Sequence, residues 1–89
     1  MLKPIWSGRF TRDVKRAEKR QKNLDKLKAV IRLLASETPL PANYNDHPLK
    51  GDWKGYRDCH LKPDLVLIYR KTTEEIELIR VGSHSELFG

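Results

Sequence analysis

The sequence contains a single cysteine, Cys59, so no internal disulfide can form, which fits a reducing compartment such as the cytoplasm. No apolar run approaches the roughly 20 residues that a membrane span needs. The opening "MLKPIWSGRF" lacks an apolar stretch of the leader type, so no signal peptide is expected. Paired metal-ligand spacing is also missing. His47, His60 and His84 stand 13 and 24 residues apart, and no HxxxH or HExxH pair sets two ligands on one helix. Acids are scarce between Arg9 and Lys28, where only Asp13, Glu18 and Asp25 occur. Repeats, linkers and low-complexity tracts are absent. The expectation is a soluble, cytoplasmic protein with neither metal nor cofactor.

What is present is a short and basic chain. Its 89 residues suit one domain spanning 1–89, and such a chain buries only about 60–65% of its unfolded surface, so the core must be compact. The formal net charge of +6 favours a polyanionic partner, either nucleic acid or an acidic protein. Nine of the eighteen Lys and Arg residues fall between Arg9 and Lys28. A run of this kind can simply solvate a helix face. With so few acids nearby, Arg12, Lys15, Arg16, Lys19, Arg20 and Lys22 are better read as phosphate contacts, which gain by counterion release. Lys50 and Lys54 join them as candidates.

Local patterning gives an α+β plan. "PIWSG" (4–8) reads as a first strand, and Phe10, Val14 and Ala17 recur at helical spacing after it. "NLDKLKAVIRLLASE" reads as a second helix with Asn23 as N-cap and Leu24, Leu27, Ile31 and Leu34 on one face. Pro39 and Pro41 end it. From His47 onward the period shortens towards two. "HPLK" and "YRDCHLK" suit short strands, "LVLIYRK" a central strand buried on both faces, and "IELIRV" its partner across "TTEE". "GSHSELFG" closes as a loop or a single helical turn. Helices packed against an antiparallel sheet follow from this order.

The stretch "DHPLKGDWKGYRDCHLKPD" packs two histidines and four aspartates into nineteen residues. Alternation puts Tyr56, Asp58 and His60 on one face of their strand, and Arg57, Cys59 and Leu61 on the other. Cys59 is then core rather than nucleophile. His84 follows the last strand, with Phe88 one turn later. Imidazole can take or give a proton near neutral pH. RNA brings its own nucleophile, the 2′-hydroxyl, so a base, an acid and a donor to the phosphate suffice for metal-free cleavage. An aromatic such as Phe88 can stack on a splayed base.

"YNDHPLKGDWKGYRDCHLKPDLVLIYR" with "RVGSHSELFG" resembles the YafQ branch of the RelE superfamily, over essentially the whole chain including "SGRFTRDVKRAEKR". These are mRNA interferase toxins of type II toxin–antitoxin systems. The resemblance implies a RelE-like βααβββ-type fold, cleavage of translated mRNA in the ribosomal A site, and neutralisation by a cognate antitoxin. Contact with DNA would come only through that antitoxin, and the two helices show no helix-turn-helix pattern. The implied catalytic positions are His47, Asp58, His60, Asp64, His84 and Phe88. His84 would be the general acid, His47 the general base, and His60 a phosphate contact. Asp58 and Asp64 would orient histidines or meet ribosomal RNA, and Phe88 would stack on a base. After Asp64 relatives can carry an aromatic where this chain has Leu65, so no stacking is expected there. The rival is a non-catalytic ribosome- or RNA-binding inhibitor, which leaves His84 and Phe88 without purpose.

Overall fold

The computed structural model describes all of residues 1–89. The chain runs β1 (Lys3–Trp6), α1 (Gly8–Lys19), α2 (Asp25–Ala35), β2 (His47–Pro48), β3 (Arg57–Lys62), β4 (Leu65–Lys71), β5 (Glu75–Gly82) and α3 (His84–Phe88). Two 3-10 turns, Ala42–Tyr44 and Gly51–Trp53, flank β2. The strands form one sheet in the order β1-β5-β4-β3-β2. This is the expected α+β arrangement with two departures. The sheet is mixed rather than wholly antiparallel, because β1 pairs parallel with β5. The α1–α2 hairpin carries the chain over one face and returns it to the far edge, which leaves β1 free to lie alongside the last strand in the same direction. The short strand read in "HPLK" is present, with His47–Pro48 pairing with Arg57–Asp58, so the helices are followed by one strand more than the βααβββ-type order implies.

Burial explains each element. Phe10 and Val14 of α1, and Leu27, Val30 and Leu34 of α2, join Cys59, Leu61, Leu65, Leu67, Tyr69, Ile76 and Leu78 in the main core. Helical residues three and four apart share a face, and alternate strand residues share another, so the two periodicities meet here. β4 is the middle strand of the five, and Leu65–Tyr69 are all buried, as a strand covered on both faces requires. Val66 and Ile68 point away from α1 and α2 and meet Leu87, with Trp53, Tyr56, Ile79 and Phe88 around them. Ser7 caps α1 by accepting the Phe10 amide, while its hydroxyl donates to the Ile79 carbonyl. Asn23 is not the N-cap of α2, which is Leu24; it stands one residue earlier and accepts the Asp25 amide at 2.8 Å.

Beyond Leu78 the pairing with β1 ends, and α1 takes over that edge. Asp13, 4% exposed, accepts the Val81 amide and also two hydrogen bonds from Arg80 and one from Arg16. It fixes the helix layer to the strand that leads into α3. Its position inside a basic run hid this task from sequence reasoning. No helix is long and apolar enough to cross a membrane.

Candidate active site

The face of the sheet turned away from α1 and α2 carries the histidines. Cross-strand register places His47 opposite Asp58, Asp58 opposite Ile68, and His60 opposite Val66. Since Cys59 and Leu61 go to the main core, Asp58 and His60 emerge on the other side, as alternation requires. The His47 and His60 ring centroids are 6.2 Å apart. Both ring nitrogens of His47 have close neighbours, and one of them is hydrogen-bonded. Nδ1 lies 2.7 Å from the Asn45 carbonyl, which can only accept, so Nδ1 carries the hydrogen. Nε2 stands 3.0 Å from Asp58 Oδ1.

Asp58 is 3% exposed, and its Oδ1 makes no directional hydrogen bond despite the nearby Nε2. The Nε2 ring direction misses Oδ1, so the 3.0 Å approach is a contact between a partly charged ring and a carboxylate and not an aligned hydrogen bond. Burial raises the Asp58 pKa above the ordinary carboxylate value, and His47, His60 and His84 each pull the other way. One buried carboxylate thus lies within the field of all three histidines. A proton arriving on Nε2 would turn a bare contact into a charged pair.

His84 opens α3, a five-residue helix docked on this face by Leu87. Ser83 and Glu86 form a reciprocal capping box that fixes its first turn. Glu86 also approaches Arg16 at 3.8 Å and Arg20 at 3.4 Å, which ties α3 to α1. Gly82 permits the close fold-back, since a Cβ there would lie 3.1 Å from Glu86 Oε1 and 3.4 Å from Leu87. His84 and Phe88, four apart on the helix, stack obliquely with centroids 4.9 Å apart. Phe88 in turn meets the edge of Trp53 at 6.2 Å, and Trp53 meets Tyr56 at 5.6 Å. Trp53 is therefore a wall of the site to which the sequence analysis gave no role. The signal available was an aromatic set between Lys50 and Lys54 in "KGDWKGY".

The other expected positions divide. Lys50 and Lys54 bracket the Gly51–Trp53 turn that carries Trp53 to the site. Asp64 sits exposed in the β3–β4 turn, in a depression with Gln21, Lys22, Asn23 and Lys62, none of them a histidine. Leu65 is buried in the main core, in keeping with its lack of any stacking role. Arg12, Lys15, Arg16 and Lys19 belong to α1, across the sheet from the histidines; Arg20 is its C-cap, and Lys22 lies in the turn after it. Arg16 and Arg20 are partly neutralised by Asp13 and Glu86. A groove of about 400 Å³ also lies on that layer, lined by Trp6, Val14, Leu24, Leu27 and Ile31. Cys59 is fully buried and its thiol pushed up to about 12, so it is no nucleophile. No group of three or more His, Cys, Asp and Glu side chains is arranged to hold a metal ion.

Comparison with known proteins gives this arrangement a class: residues 2–89 match the family model described as "Bacterial toxin of type II toxin-antitoxin system, YafQ". The mRNA interferase toxin YafQ of Escherichia coli strain K12 is 52% identical over 85 residues, covering 94% of this chain and 92% of that protein. The chain belongs to the YafQ family. YafQ in the crystal structure of the E. coli DinJ–YafQ toxin–antitoxin complex superposes with a TM-score of 0.91 at 48% identity, covering 99% of this chain and 98% of that one. A metal-bound toxin from Helicobacter pylori also has a TM-score of 0.91, at 49% identity, covering 99% of this chain and 100% of that one.

Proposed function

We propose that this protein is the endoribonuclease of a toxin–antitoxin pair and cuts translated mRNA in the ribosomal A site by metal-free attack of the 2′-hydroxyl. The observation that carries this reading is His47 fixed with Nε2 at 3.0 Å from the buried Asp58 carboxylate. Nε2 takes the 2′-hydroxyl proton, the 2′-oxygen bonds to phosphorus, and the 5′-oxygen leaves with a proton delivered by His84. The products are a 2′,3′-cyclic phosphate and a free 5′-hydroxyl. Asp58 stabilises the imidazolium only once the proton has moved, so its effect is concentrated where charge develops. His60, beside His47, meets the scissile phosphate. Phe88, braced by Trp53, stacks on an mRNA base. Asp64, remote from the histidines in the β3–β4 turn, is assigned to ribosomal RNA.

The exposed cations on α1 and in the following turn serve docking on ribosomal RNA, together with Lys50 and Lys54. The ribosome holds the mRNA in place, and positioning of that kind is worth about 7–11 kcal/mol of barrier. Work on ribosomes places the protein in the cytoplasm. E. coli YafQ forms a complex with the DinJ antitoxin, and we assign this chain a cognate antitoxin of its own. Ribosomes programmed with a defined mRNA test the reading. Fragments with the two expected end groups support it, whereas a translational block with intact mRNA would replace it with inhibition by occupancy.

A further inference from the structure

His47 stands on a strand of only two residues at the edge of the sheet, preceded by the loop holding Pro39 and Pro41. Two ladder positions are a slender hold for a side chain whose reactive nitrogen must be placed to within fractions of an ångström. Asn45 adopts the left-handed conformation, φ 49°, which aims its carbonyl at His47 Nδ1. The next residue, Asp46, points the opposite way from His47, through to the helix side of the sheet. There its carboxylate receives Tyr69 Oη at 2.5 Å and the Arg57 Nε and terminal nitrogen at 3.3 Å each. Arg57 and Tyr69 are themselves register partners on β3 and β4, and Tyr69 is 2% exposed, so the anchor is built into the core.

We infer that Asp46 is a positioning residue for His47: clamped by Tyr69 and Arg57, it fixes the Asn45 carbonyl that keeps hydrogen on Nδ1 and leaves Nε2 free for the reaction. The catalytic arm of this inference rests on the function proposed above, while its tautomer arm does not. Free histidine favours hydrogen on Nε2, so the opposite tautomer at His47 has to be imposed. Asp46 and Asn45 impose it through one carbonyl. A core network on one face of the sheet thereby governs an exposed imidazole on the other.

The test uses nitrogen-15 NMR of the histidine rings in the full-length protein, with Asp46→Ala, Asp46→Asn and Tyr69→Phe. In the unaltered protein at a pH where His47 is neutral, its ring should show hydrogen on Nδ1. Asp46→Ala should move it toward hydrogen on Nε2 and lower kcat by about 10²-fold, the scale of a 1 Å misplacement, with KM little changed. Asp46→Asn, which keeps an acceptor for the Tyr69 hydroxyl, should restore much of both. Should Asp46→Ala fail to fold, Tyr69→Phe keeps the core volume and should shift the tautomer in the same sense. A folded variant without the clamp, whose His47 tautomer and kcat match the unaltered protein, would overturn the inference. An inactive but folded unaltered protein with hydrogen on Nδ1 would refute the proposed nuclease and leave the positioning intact.

Discussion

His47 and Asp58 face each other across the β2–β3 ladder with Nε2 3.0 Å from Oδ1, and the carboxylate is almost wholly buried while the imidazole is half exposed. The pair joins a solvent-reaching imidazole to a carboxylate that water cannot screen. Its cost falls on stability.

Asp58→Asn should therefore stabilise the protein at neutral pH while removing activity. The folded-state pKa of Asp58 is raised, so the native state binds more protons than the unfolded one between the ordinary value of 3.8 and the raised one. Stability contributed by this group falls as pH climbs through that window. The variant's advantage should be absent at the acidic end and complete above it, read as a higher Tm at neutral pH. Thermal melts across a pH series measure it. An equal Tm difference at every pH would mean that ionisation of Asp58 is not its source.

His84→Ala should leave the unfolding free energy within about 0.5 kcal/mol of the original, because the side chain is exposed and opens no cavity. Cleavage should drop by about 10²–10⁴-fold, as loss of a general acid predicts. Wild-type cutting rates in this variant would remove His84 from the mechanism.

Ser83→Ala should cost about 1 kcal/mol at α3, the usual effect of losing an N-cap. Glu86 is held below the ordinary carboxylate range, first by the Ser83 amide, so its half of the capping box is present above 4.5 and fades as pH falls through the lowered value. Hydrogen exchange at the Leu87 and Gly89 amides, which donate within α3, should quicken in the variant and in acid. Unchanged exchange would show that Leu87 alone holds the helix down.

Replacing Lys15, Lys19 and Lys22 with Glu should weaken ribosome association. All three are exposed, and none takes part in an ion pair. If each meets a phosphate, the salt slope should flatten by about 2, at roughly 0.7 per single-stranded contact. Identical binding across a salt series would return this face to solvation alone.

Much of this was legible in the sequence because two periods announce themselves plainly. Phe10, Val14 and Ala17 mark a helix face, and the alternation through "YRDCHLK" separates Cys59 from Asp58 and His60 before any coordinates exist. Parallel pairing of β1 was not legible, since a four-residue strand carries no mark of its neighbour's direction. Trp53 and Asp46 were missed for a related reason. Their roles come from residues distant in sequence, Phe88 for one and Tyr69 for the other, and local spacing says nothing of such meetings. Asp13 reads as a stray acid among arginines until Val81 and Arg80 arrive beside it.

The central claim is that histidines move protons while the RNA attacks itself, and one substrate tests it directly. Ribosomes carrying an mRNA with a single 2′-deoxy substitution just before the cut should bind the protein normally and remain uncut. The unmodified mRNA should yield a 2′,3′-cyclic phosphate and a 5′-hydroxyl, with a bell-shaped dependence of rate on pH. Cleavage of the deoxy-substituted site at an undiminished rate would contradict the account, because a nucleophile other than the 2′-hydroxyl would then be at work.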